Sequence, residues 1–355
     1  MEDGVLNKKN KVCIVAPTNG SIGGISTWFS LVKEEAEGFV DVFSIDTSLK
    51  NNIYSRGFNL KRKVSQTLRI HNQKKQLKGL INEKHISVLH IATSGGTGFL
   101  RDYFLLKYAK RRGIKTILHL HYGRFKNNYL SNSFTSFLCK KCCRFSDLII
   151  CIDEPTKKFL DSQKISNRLI YNPIKMTTNT YSPSSEQIIY IGNVLSTKGV
   201  LELVNAFKKY NVAKKYNLKI IGPVDESFYP CLNITDGDNI YICGPQNHDE
   251  TMNELCKSKV LILPSYSEGM PYSILESMAR SIPVVATDVG NIPFMLNGCG
   301  IIIKPKSEED IFNALTKLED KDVCLRLSVS SFERAMNMFS SKVIVNELLN
   351  LWRTI

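Results

Sequence analysis

The sequence predicts an α/β protein made of two doubly wound, parallel-sheet domains in tandem. Three observations carry this. Short continuous apolar runs alternate with helical segments, the pattern of parallel strands covered on both faces. The series is interrupted once, at Asn172–Glu186, where NPIKMTTNTYSPSSE is polar, punctuated by proline and reads as a linker. A length of 355 residues is long for one core and comfortable for two. The expected boundaries are 1–172 for the first domain, 173–340 for the second, and 341–355 for a terminal helix that packs back on the protein.

The first domain opens with the apolar strand Lys11–Ala16 and a glycine-containing loop ending in Gly23-Gly24. A helix is expected from Ser26 to Glu37. Further strands are expected at Val40–Ile45, Ser87–Ile91, Lys115–Leu120, Asp147–Ile152 and Arg168–Tyr171. Helices are expected near Leu60–Asn82, Gly98–Arg112, Tyr129–Phe145 and Glu154–Ser162. After the linker, strands are expected at Gln187–Gly192, Leu218–Gly222, Asn239–Ile242, Val260–Leu263, Pro283–Thr287 and Gly300–Ile303. The last segment, Lys342–Trp352, repeats Val343, Val345, Leu348, Leu349 and Trp352 at helical spacing. No internal repeat and no low-complexity tract interrupts the pattern.

Hydrophobic content of 43% and charged content of 23% are those of a globular, water-soluble chain. No apolar run reaches the roughly 18 residues needed to span a bilayer. The start, Met1-Glu-Asp-Gly, has neither the basic nor the apolar region of a secretory signal, so a cytoplasmic location is expected. The 10 cysteines include Cys139-Lys-Lys-Cys142-Cys143, with no second pair at zinc-site distance; they read as small apolar residues in a reducing compartment. No metal-binding motif is read, and no cofactor and no essential metal are expected.

The formal charge of +14 is unevenly spread. Residues 1–172 hold 29 Lys/Arg against 13 Asp/Glu, whereas residues 173–355 hold 18 against 20. Between Ser48 and Lys84 ten basic residues (Lys50, Arg56, Lys61, Arg62, Lys63, Arg69, Lys74, Lys75, Lys78, Lys84) meet one acid, Glu83. Such a run is either a solvated face or a dock for a polyanion. The aromatic-basic stretch Tyr122–Tyr129, which holds Arg124, Phe125 and Lys126, favours an anionic membrane surface. Nucleic acid is not expected as a partner, because no recognition module is present.

The most informative stretch is Pro264-Ser-Tyr-Ser-Glu268-Gly269-Met270-Pro271-Tyr272-Ser-Ile-Leu-Glu276. It reads as strand, loop, helix, a geometry suited to phosphate because a helix N-terminus presents unpaired N–H groups and partial positive charge. Pro271 suits the first helical turn. Glu268 falls in the loop and Glu276 in the second turn of the helix, one acceptor for sugar hydroxyls and one for a ribose diol. In open α/β sheets ligands sit at the carboxyl ends of strands. Three more positions follow strands there. Gly23-Gly24 allows close backbone approach. His121 alternates with Leu120, faces the same side as His119 and stands at a strand's end. Gly192-Asn193, with Lys198 at the start of a helix, supplies a cation for a diphosphate.

These strings, together with Ile282-Pro-Val-Val-Ala-Thr-Asp288-Val-Gly290, resemble the retaining glycosyltransferases of family 4, in order along nearly the whole chain. The resemblance implies a GT-B fold, two doubly wound Rossmann-like domains facing a central cleft, and transfer of a hexosyl group from a nucleotide-sugar, UDP-linked rather than GDP-linked. It implies that Gly23, Gly24, Gly192, Asn193, Lys198, Gly269, Met270, Pro271, Tyr272 and Glu276 bind the donor. Glu268, His121 and Lys198 would serve catalysis, and Asn172-Pro173 matches the family's turn into the linker. The acceptor is expected to be a glycan, lipid-linked, in surface-polysaccharide assembly at the inner membrane face. A soluble acceptor and a nucleotide-sugar-binding protein without turnover are the alternatives. Three positions depart from the family: Asn193 replaces an Arg, Asn291 a Gly, and Phe294 a Glu.

Overall fold

The structure is a computed structural model that describes residues 10–18, 23–48, 60–123, 125–178, 181–212 and 215–355, without the side chains of 60–65. Lys50, Arg56, Arg124 and the side chains of Lys61, Arg62 and Lys63 thus lie outside the described residues. The chain divides into two compact units, 1–173 with 341–355, and 174–340.

Unit 1 runs β1 (Lys11–Ala16), α1 (Gly24–Ala36), β2 (Asp41–Asp46), α2 (Leu60–Gly79), β3 (Val88–Thr93), α3 (Gly98–Lys110), β4 (Lys115–Leu120), α4 (Phe125–Leu130), α5 (Phe134–Phe145), β5 (Leu148–Cys151), α6 (Glu154–Ser162) and β6 (Asn167–Leu169). Its six strands are parallel in the order β2-β1-β3-β4-β5-β6. The inner strands are buried because helices cover both faces: β1 from Val12 to Ala16 and β3 throughout, His90 and Thr93 included.

Unit 2 runs β7 (Gln187–Ile191), α7 (Val200–Tyr210), β8 (Asn217–Ile221), β9 (Ile240–Gly244), α8 (His248–Cys256), β10 (Val260–Leu263), α9 (Tyr272–Met278), β11 (Val284–Thr287), α10 (Ile292–Met295), β12 (Ile301–Ile303), α11 (Glu308–Lys317) and α12 (Lys321–Met338). Its sheet is parallel, ordered β12-β11-β10-β7-β8-β9. The last helix, α13 (Ser341–Thr354), belongs to unit 1 and packs on α1. It buries Ile344, Val345, Leu348, Leu349 and Trp352, and the Trp352 carbonyl accepts a hydrogen bond from Asn10 Nδ2 at 2.8 Å.

The structure corrects several expectations. The single helix expected over Tyr129–Phe145 is two, α4 and α5, because Ser133 caps α5 by accepting from Ser136 N at 3.1 Å. The helix expected to Asn82 ends as α-helix at Gly79 and closes in a π turn, Leu80–Lys84. Pro271 is the N-cap of α9, with ψ 131°, rather than a residue of its first turn. Two helices beyond those expected, α11 and α12, fill the stretch between Ile303 and Lys342 behind the caps Ser307 and Asp320. Arg69, counted in the basic run, is turned inward: its guanidinium donates to the carbonyls of Thr47 and Ser48 at 3.1 and 2.9 Å.

Candidate functional site

In unit 2, β7 lies between β8 and β10, so the connections after β7 and after β10 leave in opposite directions. Such a switch point opens a crevice beyond the carboxyl ends of the strands. The two loops that border it are 192–199 and 264–271. Tyr266 N donates to Thr197 O at 3.1 Å, tying them together. Gly199 has φ +67°, and a Cβ there would lie 2.1 Å from the Pro264 carbonyl oxygen. Only glycine admits both the left-handed backbone and that approach. The turn after β11 closes on the same loop. Asn291 N donates to Gly269 O at 2.9 Å, and Gly290, at φ +58°, would place a Cβ 2.1 Å from Glu268 O.

Across this crevice Lys198 Nζ donates to Glu268 Oε1 at 2.6 Å. Two residues expected on separate parts of a ligand thus meet each other. Asn193 is exposed, with its carbonyl accepting from Tyr190 OH at 2.8 Å, and Gly192 N donates to Ile221 O at 2.9 Å. A second cation reaches the loop from beyond β12: Lys306 Nζ stands 5.2 Å from the Tyr266 ring centroid. Met270 is buried, Pro271 caps α9 and Tyr272 begins it.

Glu276, on α9, is 7% exposed, and burial raises its carboxyl to about 7, with Arg280 opposing the shift. His248 Nδ1 stands 3.7 Å from Glu276 Oε1, beyond hydrogen-bond reach, and burial lowers the imidazole's own pKa. Tyr272 OH, one turn earlier, is buried without a hydrogen-bond partner among the described residues. Near pH 7 Glu276 can therefore hold or release a proton, and a ligand hydroxyl would find either a donor or an anionic acceptor. Asn291 is 1% exposed, and neither side-chain polar atom has a hydrogen-bond partner among the described residues. Phe294 accepts, through its carbonyl, from Arg334 Nη2 at 2.5 Å.

In unit 1 the switch point lies between β1 and β3. Gly23 precedes α1, and its carbonyl accepts from Thr27 N at 3.1 Å and from Ser26 Oγ at 2.6 Å; Gly24 begins the helix. The loop after β3, Ser94-Gly95-Gly96-Thr97-Gly98, leaves from the same switch point and was missed. Its signal was legible: a glycine cluster directly after an apolar strand.

His121 follows β4 and belongs to a cluster the sequence only hinted at. His119 and His121 face the same side, as alternation predicts, with ring centroids 4.0 Å apart. Trp28 of α1 lies 5.2, 5.1 and 5.0 Å from His90, His119 and His121. Trp352 Nε1 donates to His90 Nδ1 at 3.0 Å, and His90 Nε2 lies 3.1 Å from His119 Nδ1. An indole nitrogen can only donate. His90 Nδ1 is therefore the acceptor, its proton sits on Nε2, and that N–H donates to His119 Nδ1. Neutral His119 then carries its proton on Nε2, which is buried with no hydrogen-bond partner among the described residues. Burial keeps all three rings neutral, lowering His90 and His121 to about 3 and His119 likewise downward; Asn172, by hydrogen bond, partly offsets the shift on His121.

Two Asp-x-Asp strings occur, Asp236-Gly-Asp238 and Asp320-Lys-Asp322; in the second, Asp320 is the N-cap of α12 and accepts from Asp322 N at 2.8 Å. Asp238 Oδ2 accepts from Thr235 N at 2.7 Å and pairs with Lys208 at 3.0 Å, which makes it a turn and ion-pair residue. Among the described residues no group of three or more His, Cys, Asp or Glu is arranged to hold a metal ion. Likewise no described helix is long and apolar enough to cross a membrane.

Residues 178–334 match the family model of glycosyl transferases group 1. The chain is 29% identical over 136 residues to a putative teichuronic acid biosynthesis glycosyltransferase, TuaC, of Bacillus subtilis (strain 168); the match covers 38% of this chain and 33% of TuaC. It is 25% identical over 322 residues to the O-antigen biosynthesis glycosyltransferase WbnH of Escherichia coli, covering 85% of this chain and 88% of that one. Among solved structures, Anabaena HepE in complex with UDP and glucose superposes with a TM-score of 0.74 at 12% identity, over 98% of this chain and 100% of that one. The fold is thus of GT-B type, and the match over the second unit supports a place in the glycosyltransferase superfamily.

Proposed function

We propose that this protein is a retaining glycosyltransferase of family 4 type. It moves a hexosyl group from a UDP-sugar to a lipid-linked glycan in surface-polysaccharide biosynthesis, at the cytoplasmic face of a membrane and without an essential metal. The observation that carries this reading is the Lys198–Glu268 pair at the unit 2 switch point, followed by the buried Glu276 on α9. The group 1 match over this unit, the polysaccharide enzymes it resembles and the UDP complex of HepE support it.

In this reading the Lys198–Glu268 pair is the resting form of the site. An arriving diphosphate draws Lys198 away, and Glu268, released, accepts hydrogen bonds from the sugar. Glu276 meets the ribose diol. As the bond from the anomeric carbon to the diphosphate breaks, negative charge builds on the leaving oxygen, where a fixed cation is most effective. The acceptor hydroxyl attacks from the face the diphosphate leaves, and its proton passes to the departing phosphate, so configuration is retained. In unit 1, His121 and the Gly23-Gly24 backbone are the proposed sugar-facing groups.

The exposed Asn193, where the family has Arg, favours a second reading: nucleotide-sugar binding without turnover. Thermal stabilisation by a panel of nucleotide-sugars, followed by transfer from a labelled donor, separates the two. Stabilisation by UDP-sugars with transfer to lipid-linked glycan supports the proposal. Stabilisation without transfer to any acceptor supports the second reading, and equal transfer to a soluble glycan removes the lipid from the first.

A further inference from the structure

We infer that the α4–α5 face of unit 1 is the surface through which the protein docks on an anionic lipid bilayer. Between Asp102 and Asp147 the chain holds ten Lys/Arg and no Asp or Glu. The structure gathers this stretch with the exposed end of the earlier basic run, since α3 packs against both α2 and α5. Lys74, Lys75 and Lys78 of α2 are exposed, as are Lys126 of α4 and Lys140 and Arg144 of α5.

Apolar tips rise from the same face. Leu130, at the end of α4, is 55% exposed; Phe134 and Phe137, on α5, are 66% and 54% exposed. The inner side of α5 is satisfied separately, by Leu138, Cys139 and Cys142 in the core. The outward phenylalanines lie outside this core. Their rings stack on each other, centroids 6.4 Å apart at 21°, and Lys141 Nζ lies 5.3 Å from the Phe137 centroid. Lys140 Nζ likewise lies 5.3 Å from the Tyr129 centroid.

Clustered exposed apolar side chains ringed by cations are what an interfacial contact requires. The rings enter the boundary between head groups and acyl chains while lysine and arginine stay at the phosphates. Basic residues act there only within a Debye length, about 8 Å at physiological ionic strength. A nucleic acid would use the cations but offers no apolar medium for the exposed Leu130 beside the rings.

The inference rests on the proposed lipid-linked acceptor, yet it is tested without donor or acceptor. Co-sedimentation of the full chain is measured with phosphatidylglycerol-containing vesicles and with pure phosphatidylcholine vesicles, at low and high salt. The expected result is binding to the former alone, weakened by salt, and reduced at least tenfold both in Phe134→Ser/Phe137→Ser and in Lys126→Glu/Lys140→Glu/Arg144→Glu. Both variants should keep the wild-type melting temperature and the same stabilisation by UDP-sugars. Absence of binding to anionic vesicles at low salt overturns the inference, as does binding that neither variant weakens. So does a wild type that self-associates through these residues, or takes up single-stranded nucleic acid, while ignoring vesicles. Should UDP-sugars fail to stabilise any form, the donor reading falls and the vesicle result still stands.

Discussion

Lys198 and Glu268 are 70 positions apart in sequence and 2.6 Å apart in the structure, on loops that leave the sheet on opposite sides of its switch point. A charge-assisted hydrogen bond of this kind forms only if both loops are held, and Gly199 against Pro264 and Gly290 against Glu268 hold them.

Lys198→Ala is expected to cut sugar transfer roughly tenfold to a hundredfold, the range of a lost hydrogen bond to a charged group, about 1.5–3 kcal/mol. Lys215→Ala is the control. Lys215 is an exposed lysine, 3.5 Å from Glu319, in a surface pair of the kind worth roughly 0–1 kcal/mol. Steady-state transfer assays on both variants decide it; equal rates would mean that another group holds the diphosphate.

Gly290→Ala should displace the Glu268 loop. The new Cβ must escape the 2.1 Å approach to Glu268 O in a left-handed backbone, strain of the kind that costs roughly 1–3 kcal/mol or more. Urea denaturation should show the loss of stability, and donor stabilisation should fall with it. A variant as stable as wild type that still binds donor would show the loop is freer than its packing implies.

Glu276 makes the protein sensitive to pH near neutrality. Burial lifts its pKa from the usual 4.5 to about 7, so the folded chain holds this proton more tightly than the unfolded chain. Its contribution to stability is complete below about 4.5 and is lost as pH rises through about 7, roughly 3 kcal/mol in all. Glu276→Gln should abolish that slope, measured by urea unfolding across the interval. Donor affinity should move the other way and strengthen as the carboxylate forms. A donor affinity that is flat from pH 6 to 8, or unchanged in the variant, would dismiss Glu276 as the ribose acceptor.

The chain from Trp352 to His119 predicts a tautomer. Nitrogen-15 NMR of the histidines should show His90 and His119 neutral, each protonated on Nε2. Trp352→Phe removes the indole donor that fixes His90 and should let both rings redistribute between tautomers. Signals from His119 that do not change in the variant would show the ring is set by something nearer.

Much of this was readable from composition and period. Apolar runs mark β1, β4 and β10 to the residue and β3 to within two residues, although His90 and His119 are set into β3 and β4. The paired glutamates were visible because loop and helix are adjacent in sequence. What could not be read was who meets whom. The Lys198–Glu268 pair depends on strand order, and strand order is set by packing of the whole sheet. The histidine chain was hidden for the same reason, since His90, His119 and Trp352 come from two strands and a distant helix. The split between α4 and α5 was legible in Ser131-Asn132-Ser133 and was passed over in favour of helical periodicity.

The return of α13 to unit 1 fixes an order of assembly. Ribosomes deliver the chain from its amino end, yet the first unit lacks Trp352, Leu348 and Leu349 until the whole of 174–340 has been made. While it waits, α1 lacks its packing against α13 and His90 its partner for Nδ1. Unit 2, contiguous in sequence, can fold as soon as it emerges, so the half that starts first is finished last. A nascent chain stalled inside α12 would expose an unfinished amino-terminal core to chaperones and proteases, although every strand of that core had already been synthesised.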